Sequence, residues 1–285
     1  MRTSFTVKNY DLAATLACGQ AFRWREENGA WDGVVEGRWV RLRQTPDGIA
    51  AETARDVADW NWLETYLQTR FDLAAALATF PTDAPMTTAA HACRGLRLLR
   101  QEPWECLASF ICSSNKQIVQ IKQIIEHLCQ RFGHPLPVGV GARPAWSFPT
   151  VERMAAASEA ELRACKMGFR APYLLATAQA IQKGEISLER LYQMPLAEAR
   201  AELLKFHGVG RKIADCVLLF GYGFPTAFPV DVWVMKALRQ LYFPRRHVKL
   251  KRLHRFSETH FGPFAGYAQQ YLFHYMRTRS GQSDG

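Results

Sequence analysis

No apolar run in the chain approaches the ~18 residues that a membrane-spanning helix needs. Lys8 and Asp11 interrupt any stretch near the N-terminus that could serve as a secretion signal. An intracellular protein, free of the membrane, is expected. Paired cysteine motifs are missing too: the seven cysteines, at 18, 93, 106, 112, 129, 165 and 216, are odd in number and form no CxxC or His-rich cluster. That argues against a disulfide framework and against a zinc site, and leaves them as reduced packing residues. Acidic residues are scarce, 26 Asp and Glu against 36 Lys and Arg, for a formal charge of +10. A surplus of this size favours a polyanionic partner, nucleic acid first. Neither an internal repeat nor a low-complexity stretch is present.

Hydrophobic residues make up 48% and charged residues 22% of the 285, the balance of a globular protein long enough to bury a real core. Residues 5–52 are β-rich: Phe5-Thr6-Val7, Gly33-Val34-Val35 and Trp39-Val40-Arg41-Leu42-Arg43 are separated by Asn28-Gly29 and Pro46-Asp47-Gly48. This predicts an antiparallel sheet. Beyond about residue 59 the apolar spacing turns helical, as in Ile118, Ile121, Ile125, Leu128 and Phe132. The polar Ser113-Ser114-Asn115-Lys116 breaks that pattern after an apolar segment.

The basic surplus is uneven. Residues 231–285 hold ten Lys or Arg and three Asp or Glu, so 10 − 3 = +7 lies there, densest in Arg245-Arg246-His247-Val248-Lys249-Leu250-Lys251-Arg252. Such a run is either a phosphate-binding face or merely a solvated one.

The most informative segment runs through Leu203-Leu204-Lys205-Phe206-His207-Gly208-Val209-Gly210-Arg211-Lys212 into Ile213-Ala214-Asp215-Cys216-Val217. It reads as helix, tight hairpin, helix. Gly208 and Gly210 are expected to take the positive φ values of such a hairpin and to let backbone N–H groups approach a phosphate. A dinucleotide-binding loop also begins with GxG, but Ile213 occupies the third-glycine position and the preceding segment is helical. In the second helix Ile213, Cys216, Val217 and Phe220 form one apolar stripe with Lys212 at its edge. A lysine so placed is partly desolvated, which favours the neutral, nucleophilic amine; a phosphate-binding or snorkelling lysine fits the same position. Further on, Phe228-Pro229-Val230-Asp231 places a carboxylate at the start of another helix, as an N-cap that the helix end should hold ionised. An ionised carboxylate suits stabilisation of a cationic sugar or deprotonation of a nucleophile.

The hairpin, Lys212 and the loop ending in Asp231 together resemble the helix-hairpin-helix DNA glycosylase superfamily. Three further stretches resemble its 8-oxoguanine DNA glycosylase/lyase branch: Cys18-Gly19-Gln20-Ala21-Phe22-Arg23-Trp24, Ser109-Phe110-Ile111-Cys112-Ser113-Ser114-Asn115 and Gly262-Pro263-Phe264-Ala265-Gly266-Tyr267-Ala268-Gln269. The likeness spans residues 11–277.

The resemblance implies an α+β fold, with an N-terminal antiparallel β-sheet domain (1–100) on a helical helix-hairpin-helix core (101–285) of two subdomains flanking a base pocket. It implies a bifunctional enzyme, a DNA glycosylase and abasic-site lyase that excises 8-oxoguanine from double-stranded DNA as a monomer, with no cofactor and no metal. Lys212 would be the Schiff-base nucleophile and Asp231 its catalytic carboxylate. Cys216 would flank the flipped base, Phe273 stack on it and Gln269 bond its Watson–Crick edge; Gln269 and Phe273, four apart, share a helix face. Guanine N7 is an acceptor whereas the oxidised base carries a hydrogen there, so a Gly19 carbonyl would accept from the lesion and repel guanine. Asn115 and Arg170 match positions that fill the gap and contact the orphaned cytosine, Phe169 matches an aromatic wedge, and Gly208 and Gly210 would meet the DNA backbone.

Two positions depart from the family pattern. Gln120 stands where better-known members carry an arginine to the opposite cytosine, and Trp233 replaces a histidine near Asp231. No cysteine follows Cys216, so the four-cysteine iron–sulfur cluster of a sister branch is not expected. Two alternatives remain open: a glycosylase for alkylated or other bases, which has no need of a lysine at 212, and a silent DNA-binding protein whose hairpin and basic residues simply hold phosphates.

Overall fold

The structure, a computed structural model, describes residues 1–244 and 248–281. Arg245, Arg246 and His247 of the basic run lie outside the described residues.

The chain begins with β1 (Arg2–Thr6), α1 (Leu12–Ala17), β2 (Arg25–Glu27), β3 (Ala30–Val35), β4 (Arg38–Thr45) and β5 (Gly48–Thr53). The five strands form one antiparallel sheet in the order β1-β5-β4-β3-β2. Its hairpins turn at Asn28-Gly29, at Pro46-Asp47 and at a third turn not anticipated, Glu36-Gly37.

The expected antiparallel sheet is present, with α1 inserted between β1 and β2. Asp11 caps this helix by accepting from Ala14 N at 2.8 Å, and Leu12, Thr15 and Leu16 face inward. Six residues are too few to display a helical period against the β-rich background. Phe5, Leu16, Trp24, Val40, Leu42, Ile49, Leu63 and Leu67 make the core beneath the sheet. Trp24 is wholly buried there and donates its indole N–H to Tyr66 Oη at 2.8 Å, as a buried polar tip requires.

From residue 61 the chain is helical: α2 (Asn61–Leu67), α3 (Leu73–Ala78), α4 (Ala84–Ala92), α5 (Pro103–Cys112) and α6 (Ile118–Phe132). A two-stranded ribbon, β6 (Pro135–Leu136) and β7 (Ala145–Trp146), precedes α7 (Val151–Ala155), α8 (Glu159–Leu162), α9 (Ala171–Gln182), α10 (Leu196–Leu203), α11 (Arg211–Val217), α12 (Val232–Ala237), α13 (Leu250–His260) and α14 (Ala265–Gly281). One π turn prolongs α11 (Leu218–Tyr222) and another α12 (Leu238–Tyr242).

Helix α5 is the axle of this half. Every side chain from Cys106 to Cys112 is buried, and the helix packs against α6, α9 and α11. Gly266 brings α14 close to the end of α11, since a Cβ there would stand 2.2 Å from Leu219 Cδ1 and 2.9 Å from Ala227 O. All seven cysteines are buried and unpaired. Among the described residues no helix is long and apolar enough to cross a membrane, and no three His, Cys, Asp or Glu converge as a metal site.

Candidate active site

The hairpin between α10 and α11 sets the first element of the site. Gly208 has φ +84°, and a Cβ there would stand 2.5 Å from two atoms of the Tyr173 ring, so neither the backbone nor the neighbour admits a side chain. Gly210 differs from the expectation of positive φ. It has φ −90° and ψ 175°, extended backbone open to any residue, because it is the N-cap of α11. Nothing stands within 4 Å of where its Cβ would be, which leaves that side of the helix start uncovered. Asp215 fastens α11 to α10: its carboxylate is buried and meets Arg200 at 2.6 Å and Arg211 at 3.5 Å.

Lys212, in the first turn of α11, is half-buried, at the edge of the apolar stripe. Its Nζ donates to Ser113 Oγ at 3.2 Å and lies 5.1 Å from the centre of the Phe110 ring. Ser113 ends α5, where its hydroxyl donates in turn to Phe110 O at 2.7 Å. Across from them Asp231 caps α12, with Val234 N donating to its Oδ1 at 2.8 Å. Burial pushes the Asp231 carboxyl above its ordinary range, opposed by the Val234 amide and then by the Lys212 charge. Desolvation thus raises this carboxyl by more than the helix end and Lys212 lower it. Cys216, one turn on from Lys212 and 4% exposed, has its thiol pushed up to about 12 by burial, with Lys212 lowering and Asp231 raising it. Amine, thiol and carboxyl share one electrostatic neighbourhood.

A second group of expected residues lies on α14 and in the loop after α1. Gln269 is 3% exposed, and its Oε1 is buried with no hydrogen-bond partner among the described residues. One turn on, Phe273 is half-buried and faces Gly19: its Cε1 would be 3.6 Å from a Cβ at that glycine. Gly19 has φ +80°, and Ile118 Cδ1 would stand only 2.8 Å from the same Cβ. The loop that presents Gly19 is pinned from both sides. Gln20, wholly buried, donates to Thr15 O at 2.9 Å and Arg97 O at 2.8 Å and accepts from Leu99 N at 2.8 Å. From α14, Gln270 donates to Cys18 O at 3.1 Å and Arg277 to Ala17 O at 2.9 Å.

Of the remaining expected residues, Asn115 is exposed in a left-handed turn, φ 52°, directly after Ser113-Ser114. Phe169 is 51% exposed, an unusual place for a phenyl ring. Arg170, by contrast, is folded in: 2% exposed, it stacks 4.1 Å from the Phe169 ring and donates to Ser114 O and Met167 O. Gln120 is exposed and accepts from Gln117 N at 3.2 Å through its Oε1, while Trp233 lies under Lys236, 5.3 Å from Nζ to ring centre. Ser113, Gln20, Gln270 and Arg277 were not singled out as site residues. Ser113 carried a signal, as part of the polar break after α5, but its distance from Lys212 in the chain hid the pairing.

Two family models match the chain. Residues 2–107 match the 8-oxoguanine DNA glycosylase N-terminal domain, and residues 108–259 match the HhH-GPD superfamily of base excision DNA repair proteins. The chain is 30% identical to a probable N-glycosylase/DNA lyase of Methanothermobacter thermautotrophicus, over 98% of this chain and 96% of that protein. It is 32% identical to the N-glycosylase/DNA lyase OGG1 of Arabidopsis thaliana, over 92% of this chain and 76% of that one. The Clostridium acetobutylicum 8-oxoguanine glycosylase/lyase, solved with double-stranded DNA containing cytosine opposite 8-oxoG, matches the fold with a TM-score of 0.90 at 32% identity, covering 98% of each chain. With an antiparallel sheet, a helical core and a hairpin that presents Lys212, the chain belongs to the HhH-GPD superfamily of base excision DNA repair proteins, in its 8-oxoguanine DNA glycosylase branch.

Proposed function

We propose that this protein excises 8-oxoguanine from double-stranded DNA and then nicks the strand, with Lys212 as nucleophile. The observation that carries the reading is the setting of Lys212. Its amine is held against Ser113 and the Phe110 ring at the start of α11, with the buried Asp231 in its field. A surface lysine that merely held a phosphate would need none of these partners.

The damaged nucleotide leaves the stack, at an unstacking cost of a few kcal/mol, and its base enters between Phe273 and Cys216. Phe169 fills the opened stack and Asn115 the gap in the duplex. Gln269, whose Oε1 is unmatched among the described residues, bonds the Watson–Crick edge, and the Gly19 carbonyl accepts from N7–H. The exposed edges of Gly208 and Gly210 receive the DNA backbone. Arg170 reaches the orphaned cytosine only on leaving Ser114 O.

The Lys212 amine gives up a proton and attacks C1′. The C1′–N9 bond breaks and its electron pair leaves with the base, which takes up a proton. Ionised Asp231 stabilises positive charge on the sugar as this happens. Loss of the amine proton and opening of the ring give an imine between Nζ and C1′. The imine acidifies the C2′ hydrogen, whose loss expels the 3′ phosphate and nicks the strand; water then releases Lys212. The protein would act wherever the cell keeps its DNA.

Borohydride trapping on duplexes with 8-oxoguanine opposite each of the four bases, with Lys212→Gln alongside, tests this. A trapped adduct and a nick, strongest opposite cytosine and absent in the variant, are expected. Cleavage that survives in Lys212→Gln rejects the nucleophile, and inactivity of the native protein on every pairing favours another lesion or a silent DNA-binding role.

A further inference from the structure

Arg277 lies one turn beyond Phe273 on α14. Its Nη2 is used on Ala17 O, but its Nη1 is buried and has no hydrogen-bond partner among the described residues. Burial lowers its basicity, opposed by the Cys18 thiol. A guanidinium so placed is costly to keep, and its unmatched N–H stands near Gly19. Nη1 is 3.4 Å, Phe273 Cε1 3.6 Å and Ile118 Cδ1 2.8 Å from the point a Cβ on Gly19 would occupy. Lys122, one turn along α6 from Ile118, donates to Trp24 O at 2.7 Å, and its amine is disfavoured as a cation by burial, then by Arg25 and Arg277. Arg277 and Lys122 thus bring positive charge near the place where the Gly19 loop meets the stacking ring.

Oxidised guanine differs from guanine at two adjacent atoms: N7 gains a hydrogen, and C8 carries a carbonyl oxygen instead of C–H. A base that places N7–H on the Gly19 carbonyl brings the C8 position beside the same residue. Guanine would turn a positively polarised C–H toward the guanidinium, whereas the lesion turns an oxygen. The O6 oxygen flanks N7 on the other side and is common to both bases. We propose that Arg277 is a lesion-specificity determinant, its Nη1 donating to the C8 oxygen of the flipped base as the Ile118 methyl moves aside. The inference rests on the 8-oxoguanine reading of the site.

The test compares kcat/KM on duplexes holding 8-oxoguanine or 8-thioguanine, which both keep N7–H while only the oxygen is a strong acceptor. The native protein is expected to prefer the oxygen base. Arg277→Met should cut that preference about tenfold, the size of a charge-assisted hydrogen bond, and Arg277→Lys should restore part of it. Melting temperatures separate misfolding from recognition; if Arg277→Met melts early, the Arg277→Lys ratio carries the comparison and must still fall below the native one. A loss shared equally by both bases, with the ratio kept, overturns the proposal and leaves Arg277 as a clamp on Ala17 O. A native protein that releases neither base overturns the 8-oxoguanine reading itself.

Discussion

Lys212 and Ser113 meet at 3.2 Å, amine to hydroxyl, although 99 residues separate them in the chain. The pairing ties the start of α11 to the end of α5 and fixes the direction in which the amine points. Ser113→Ala removes this acceptor. Base release under single-turnover conditions should slow about fivefold, the equivalent of one hydrogen bond of roughly 1 kcal/mol. An unchanged rate would show that packing against Phe110 alone orients Lys212.

Asp231 carries a sign that can be checked on stability. A carboxyl whose folded pKa is raised holds its proton more tightly folded than unfolded, so its ionisation destabilises the fold as pH rises from the unfolded value through the folded one. Asp231→Asn keeps an acceptor for the Val234 amide and abolishes that penalty. The variant should melt above the native protein at pH 7, with the gap closing below about pH 4, where the unfolded carboxyl is protonated. A gap that widens on acidification contradicts the assignment.

Activity should follow the opposite course. Base release needs Asp231 ionised, so its acid limb should lie above the ordinary carboxylate range and vanish in Asp231→Asn, whose rate at neutral pH should fall by about 10²-fold or more. A pH–rate profile of single-turnover excision decides this.

The two hairpin glycines should respond differently. Gly208→Ala must place a Cβ against the Tyr173 ring in left-handed backbone, at a cost of roughly 1–2 kcal/mol from the backbone alone. Gly210→Ala meets open space at φ −90° and should shift stability by no more than about 0.5 kcal/mol, yet weaken duplex binding by obstructing the approach to α11. Thermal melting and a DNA titration separate the two.

Phe169 is 51% exposed but stacks on Arg170 at 4.1 Å, so Phe169→Ala should cost no more than about 1 kcal/mol of stability. If the ring is the wedge, the fluorescence of 2-aminopurine beside the lesion should report about tenfold less of the flipped state, equivalent to roughly 1.4 kcal/mol. Equal fluorescence with both proteins would assign the wedge elsewhere.

Much of this protein was written locally. The β-rich Trp39-Val40-Arg41-Leu42 and the turn at Asn28-Gly29 specified strands and a hairpin, because strand propensity and turn chemistry act over a few residues. The stripe of Ile213, Cys216, Val217 and Phe220 placed Lys212 at the edge of buried surface for the same reason. The six-residue α1 was not legible, being shorter than two helical turns. Nor was the φ of Gly210, where the N-cap of a following helix, rather than the hairpin, dictates the backbone.

Only the tertiary structure decided who meets whom. The burial that raises Asp231, the Ser113 hydroxyl on Lys212, the closure of Arg170 onto Ser114 and the pinning of Gly19 by Gln20, Gln270 and Arg277 all join segments distant in the chain. Propensity, capping and turn chemistry are short-range and can be read residue by residue, whereas desolvation and the partners of a buried polar group depend on what the rest of the fold brings alongside.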